Sequence, residues 1–212
     1  MTDRGGAVRL DRCFFARDTA SVAAALLGCV LVSTGSDGET RGRIVETEAY
    51  LGPADPASHA VTRRTVAPGA MAGTPGTVYV YRSYGLHVML NPVAHPPGDV
   101  GAVLLRAVEP ESGTGLMARR RGLAVPRLLC AGPGRLCQAF GITLADMGAD
   151  LVAGERVWIE RGAAPGAVAR GGRIGITRGV DLPLRFFEAG NAFVSAHKRG
   201  EIVENAPAEA YP

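Results

Sequence analysis

Lysine is almost missing from this chain. Of its 23 basic residues all but Lys198 are arginine, so chemistry that needs an amine nucleophile has only Lys198 and the N-terminus to draw on. Cysteine is sparse as well. Cys13, Cys29, Cys130 and Cys137 are too few for the disulfide framework of a small secreted scaffold. Cys130 and Cys137 have no histidine near them, which argues against zinc and for packing cysteines. Long apolar runs are absent: the longest, Val22 to Val32, is about half of what a membrane-spanning helix needs. The opening Met1-Thr2-Asp3-Arg4 does not lead promptly into an apolar signal core, so the expected location is the cytoplasm, in a bacterial-type cytosol or nucleoid. Repeats, low-complexity tracts and a clear linker are lacking too, and a net charge of +3 decides little about partners.

What is present suits one globular domain. With 47% hydrophobic and 20% charged residues, 212 residues bury a sizeable core. Asp18 or Thr19 is placed to cap a helix through Leu27 that Gly28 ends. Cys29 to Ser33 reads as a strand, residues 35 to 38 as a turn, and Arg41 to Ala49 as the hairpin partner. Residues 52 to 76, rich in Gly, Pro, Ala and Thr, read as a long surface loop of the kind that is often functional. Further strands are expected at Thr77 to Tyr84, His87 to Asn91, Gly101 to Val108, Arg173 to Ile176 and Leu184 to Ala189, with a helix starting near Pro133. Strands and helices mix without regular βαβ alternation, which predicts an α+β fold.

Chemistry first shows in "ETEAYLGPADPASHA", residues 46 to 60. In a strand, side chains repeat with period two, so Glu46, Glu48 and Tyr50 share a face. Four of the five tyrosines (Tyr50, Tyr79, Tyr81, Tyr84) fall between 50 and 84, together with His59. Aromatics around a carboxylate suit a flat ligand that stacks, a purine above all, although tyrosines are also ordinary strand residues. On spacing alone, Glu46 reads equally as an accessory strand residue, His59 as a loop residue satisfied locally, Arg106 as half of a salt bridge, Asn91 as a turn former, and Tyr84 as a core tyrosine.

Five ordered blocks, "RIVETEAYLG…DPASHA", "GTVYVYRSYGLHVMLN", "GAVLLRAVEP", "LLCAGPGRLCQAFGI" and "RIGI…PLRFF…GNAFVS", resemble the 3-methyladenine (alkyladenine) DNA glycosylase family. The resemblance runs from about residue 18 to 198. It divides the chain into an N-terminal segment (1–17), a glycosylase-like domain (18–198) and a tail (199–212). It implies a single compact α+β domain around an antiparallel sheet, with a protruding β-hairpin that inserts into the DNA minor groove. The activity implied is hydrolysis of the N-glycosidic bond of alkylated or deaminated purines flipped out of duplex DNA, initiating base excision repair. A damaged-DNA-binding module on the same scaffold with weak or absent catalysis is the alternative, and a small-molecule hydrolase using Glu46 and Glu48 as an acid/base pair is a third reading. By position, Glu48 is the carboxylate that activates water, with Arg106 helping to hold that water. Tyr50, His59, Tyr81 and Asn91 form the base pocket, Tyr84 fills the hole left in the duplex, and Arg82 and Arg64 are candidate DNA contacts. The resemblance implies damaged double-stranded DNA as partner, a monomer, no membrane, and neither metal nor organic cofactor.

One segment departs from the family. Its members commonly carry an arginine-threonine-proline-arginine-asparagine run after the histidine, then methionine and a second large apolar residue. Here Arg64 and Thr65 are followed by Val66, Ala67 and Pro68, and Met71 by Ala72. The departure bears on the contacts this loop makes in the family and on the range of bases accepted.

Overall fold

The computed structural model describes residues 8–62 and 67–195. Arg64 and Lys198 lie outside the described residues. The architecture is mixed α and β, with every strand pair antiparallel. A six-stranded sheet is built on one long central strand, β2 (Gly38–Tyr50). β1 (Val30–Gly35) pairs with the first half of β2 through a tight turn, Gly35 facing Gly38, and β6 (Val157–Glu160) flanks β1. β5 (Ala102–Ser112) takes the other edge of β2, while β8 (Arg185–Glu188) pairs at Glu46 to Glu48, followed by β7 (Val168–Gly171). A separate hairpin joins β3 (Val78–Ser83) to β4 (His87–Pro92).

Two of the seven α-helices among the described residues carry much of the packing. After α1 (Arg12–Phe15), α2 (Thr19–Ala25) starts where Asp18 accepts a hydrogen bond from Ser21 N, and buries Ala20, Val22 and Ala23. Short α3 (His59–Thr62) and α4 (Ala67–Met71) interrupt the stretch expected to be loop. α5 (Thr114–Arg121) and α6 (Pro126–Leu129) precede α7 (Pro133–Phe140), which Pro133 opens and which buries Leu136, Cys137, Ala139 and Phe140. The Phe140 carbonyl accepts from buried Ser33 Oγ at 2.8 Å, tying α7 to β1. Leu10 and Phe15 belong to the same core.

The expected strands at β1 to β5 and β8 are present with shifted ends. Arg173 to Ile176 is not a strand. β7 ends at Gly171, and Gly175 adopts φ +77°, a left-handed conformation that a strand ladder excludes. Cys29, Cys130 and Cys137 are buried, and burial pushes their thiols up to about 11, 12 and 12, as packing cysteines require. Among the described residues no helix is long and apolar enough to cross a membrane, and no cluster of His, Cys, Asp and Glu is placed to hold a metal.

Candidate active site

The site grows from irregularities in the pairing of β2 with β5. Glu46 faces Ala107 and Thr47 faces Leu105, so Arg106 is the extra residue between them. A β-bulge re-aims the side chain it carries. Here Arg106 Nε lies 3.2 Å from Glu46 Oε1 and Nη1 lies 3.2 Å from Glu48 Oε2. Thr47, on the opposite face, donates from Oγ1 to Ala23 O of α2. Both glutamates are fully buried, at 0% exposure, and so is most of Arg106.

Glu48 accepts two hydrogen bonds, from Ile174 N at 2.7 Å on Oε1 and from Tyr50 Oη at 2.9 Å on Oε2, and Oε2 also forms an ion pair with Arg106. Burial first, then the Glu48 charge, holds the Tyr50 hydroxyl well above its usual range, so it stays protonated and donates. Burial opposes the charge on Arg106, but the two carboxylates outweigh it and raise its pKa. Glu46 is held by Arg106, by Arg185 Nε at 2.6 Å and by Ser195 N at 2.8 Å. Two carboxylates therefore balance two guanidiniums in one buried network.

Above this network opens a cleft of about 530 Å³. Tyr50, His59, Tyr81, Leu104, Arg106 and Ile174 are among its walls, and Tyr84 stands at one margin. His59 meets Tyr81 edge-on with ring centroids 4.3 Å apart, and its Nδ1 lies 3.0 Å from Tyr79 Oη. Tyr79 and Tyr81 are stacked at 5.5 Å. Asn91 is buried, donating from Nδ2 to the carbonyls of Tyr79 and Met89, and faces a small cavity of about 20 Å³ behind the aromatic wall. Glu48 lies one layer below the cleft surface, beneath Tyr50, Arg106 and Ile174.

The β3–β4 turn carries the exposed groups. Tyr84 and Gly85 both have positive φ, 49° and 70°, and Leu86 N closes the turn on Ser83 O. Tyr84 is the one non-glycine residue with positive φ among the described residues, a conformation that costs about 1–2 kcal/mol for a side chain of this size. Tyr84 is 87% and Leu86 78% exposed, so the reading of Tyr84 as a core tyrosine falls. Arg82 is exposed on the same hairpin, and Arg178 is exposed at the cleft.

The geometry thus brings Glu48, Arg106, Tyr50, His59 and Tyr81 together, with Asn91 behind them and Tyr84 and Arg82 on the adjoining hairpin. Motif spacing missed the Ile174 peptide, which no side-chain pattern encodes. It also missed Arg185, which looked like any arginine in a strand, Leu86 at the hairpin tip, and a buried ion pair between Asp55 and Arg173. A second cleft of about 600 Å³, near Phe14, Arg17 and Arg161, contains none of these groups.

A family model described as methylpurine-DNA glycosylase matches residues 13–192. A protein of Rhodopseudomonas palustris bearing the name "Putative 3-methyladenine DNA glycosylase" is 47% identical over 186 residues, covering 88% of this chain and 87% of that protein. One of the same name from Chlorobium phaeobacteroides is 44% identical over 196 residues, covering 91% and 98%. By class, the chain is a DNA glycosylase. It belongs to the methylpurine-DNA glycosylase family.

Proposed function

We propose that this chain excises alkylated and deaminated purines from duplex DNA by hydrolysing the N-glycosidic bond of a base turned out into the cleft. The observation that carries this reading is a fully buried carboxylate, Glu48, placed under an aromatic-walled cleft, hydrogen-bonded by Ile174 N and Tyr50 Oη and ion-paired with Arg106. A carboxylate has about four acceptor positions, so two hydrogen bonds and one ion pair leave room for a water. The C1′–N bond breaks with its electron pair leaving on the purine. The water oxygen bonds to C1′, and its proton passes to Glu48. The carboxylate also faces the oxocarbenium-like sugar with negative charge. An alkylated purine is often cationic, and the rings of Tyr50, Tyr81 and His59 favour a flat, positively charged ligand. Damaged double-stranded DNA is the partner, met by a monomer. The test is a panel of duplexes that each contain one lesion, with free base measured. Binding without release would instead indicate a damage-binding module, and activity on free nucleosides a small-molecule hydrolase.

Tyr84 supplies the second element. A strained left-handed residue with an exposed ring is kept where function uses it, and a flat apolar group at a hairpin tip suits a wedge between base pairs. Leu86, exposed two residues on, extends the same apolar tip, and Arg82 is placed to meet phosphate. Tyr84→Ser should leave the melting temperature nearly unchanged, because an exposed side chain is removed. It should slow excision from duplex DNA, most for well-paired lesions and least for mismatched ones, because extruding a paired base costs a few kcal/mol. Equal excision in every duplex context would remove Tyr84 from the site.

With no lysine in the catalytic network, water is the nucleophile, and a Schiff base with the sugar should not form. Borohydride added during turnover should trap no covalent protein–DNA adduct. A trapped adduct would assign the reaction to an amine.

A further inference from the structure

Each oxygen of Glu48 is bonded to a group that one buried arginine holds. Oε1 accepts from the N–H of Ile174, the peptide next to Arg173. Oε2 accepts from Tyr50, and the Arg173 guanidinium lies 4.8 Å from the centroid of the Tyr50 ring. Arg173 cannot move freely. Its side chain and that of Asp55 are both at 0% exposure and meet as a fork, Nη1 at 2.5 Å from Oδ2 and Nη2 at 2.7 Å from Oδ1. Nη1 also donates to Ala49 O at 3.0 Å, the carbonyl between Glu48 and Tyr50. Asp55 is itself anchored by Leu51 N and Ala57 N, which ties the pair to the segment that leads into His59. Burial alone would raise the Asp55 carboxyl, but the Arg173 hydrogen bonds and those two N–H groups outweigh it and hold the carboxyl below its ordinary range.

We propose that Arg173, locked by Asp55, is a positioning residue for the catalytic carboxylate: it sets the Ile174 N–H and the Tyr50 hydroxyl that aim the two oxygens of Glu48, without itself touching the reacting atoms. This rests on the functional reading above. An isolated buried ion pair gives little net stability against an apolar pair of the same volume. The geometry gives this one a use, because a planar fork can satisfy Asp55 and Ala49 O at once while its face lies on Tyr50. An ammonium group cannot meet all three demands.

The test is single-turnover excision with enzyme in saturating excess, where the rate constant does not depend on the fraction of enzyme that is folded. Arg173→Lys, which keeps the charge beside Asp55, and Asp55→Asn, which keeps the shape, should each lower this rate constant about 10- to 100-fold, the scale of a misplacement of about 1 Å. Their Kd for damaged duplex should stay within about threefold. Arg173→Met should be slower than Arg173→Lys, the conservative change rescuing part of the rate. A wild-type rate constant in Arg173→Lys or in Asp55→Asn overturns the assignment, as does a loss that lies wholly in Kd. Wild-type enzyme in the same assay separates the two levels: release of base by wild type together with unchanged variants removes only this inference, whereas no release by wild type removes the functional reading and this inference together.

Discussion

Glu48→Gln should abolish measurable base release while leaving damaged-DNA binding intact. The amide keeps the volume of the buried side chain and one oxygen that can accept from Tyr50 or Ile174, but it cannot take a proton from water. Removing a positioned general base costs on the order of 10² to 10⁴ in rate. Here the loss belongs at the upper end, because the same change removes the negative charge facing the oxocarbenium-like sugar. Single-turnover excision and gel-shift binding on one lesion duplex check both halves. Glu46 is the weaker candidate base, since Arg106, Arg185 and Ser195 N hold it, whereas Glu48 is hydrogen-bonded by Tyr50 and Ile174 of the cleft wall. Full activity in Glu48→Gln would nevertheless move the base there.

Glu46→Gln should damage stability more than any exposed change near the site. Glu46 and Glu48 together neutralise Arg106 and Arg185 in an environment with little water. The amide leaves two buried guanidiniums with one carboxylate and turns an NH₂ toward N–H donors. Breaking a buried pair from one side costs about 3–5 kcal/mol. For a chain of this length that lowers the melting temperature by on the order of 10 °C. Arg106 would also lose the contact that holds its Nε, so excision should fall in the protein that remains folded. An unchanged melting temperature would mean that the network adds nothing to the fold.

α4 ends at Met71. Met71 is 1% exposed and packs with Tyr79, Val93 and Ala102 behind the aromatic wall, and Ser58 Oγ lies 3.9 Å from its sulfur. Met71 therefore supports the wall from within, and the small Ala72 that follows it leaves the outer side of this segment without a second bulky group.

Much of this protein could be read from the chain because the signals were local. Apolar stretches between turn residues marked β1, β2, β4 and β5 and alternation marked β3, Asp18 capped α2, Pro133 opened α7, and the order of five motif blocks identified the family. β6 and β7 escaped because each is only four residues long and draws its support from neighbours far along the chain. Arg173 to Ile176 looked like a strand because its isoleucines alternate with smaller or polar neighbours, but the long-range demand of Asp55 on Arg173 and the left-handed Gly175 override a weak local preference.

The chemistry divides along the same line. Residue identity determined which groups were available: Glu46 and Glu48 a residue apart, clustered tyrosines, arginine in place of lysine. Tertiary structure decided what they became. Only the bulge that leaves Arg106 unpaired puts its guanidinium between Glu46 and Glu48, residues 60 and 58 positions away in the chain. Only the fold brings the Ile174 N–H to Glu48 across 126 residues, and Arg173 to Asp55 across 118. Such contacts have no local signature, because a backbone N–H carries no residue identity and an arginine's partner is set by where the sheet places it. Local sequence specifies conformations within a turn or two; burial, acting on the whole chain, selects which distant polar groups must satisfy one another.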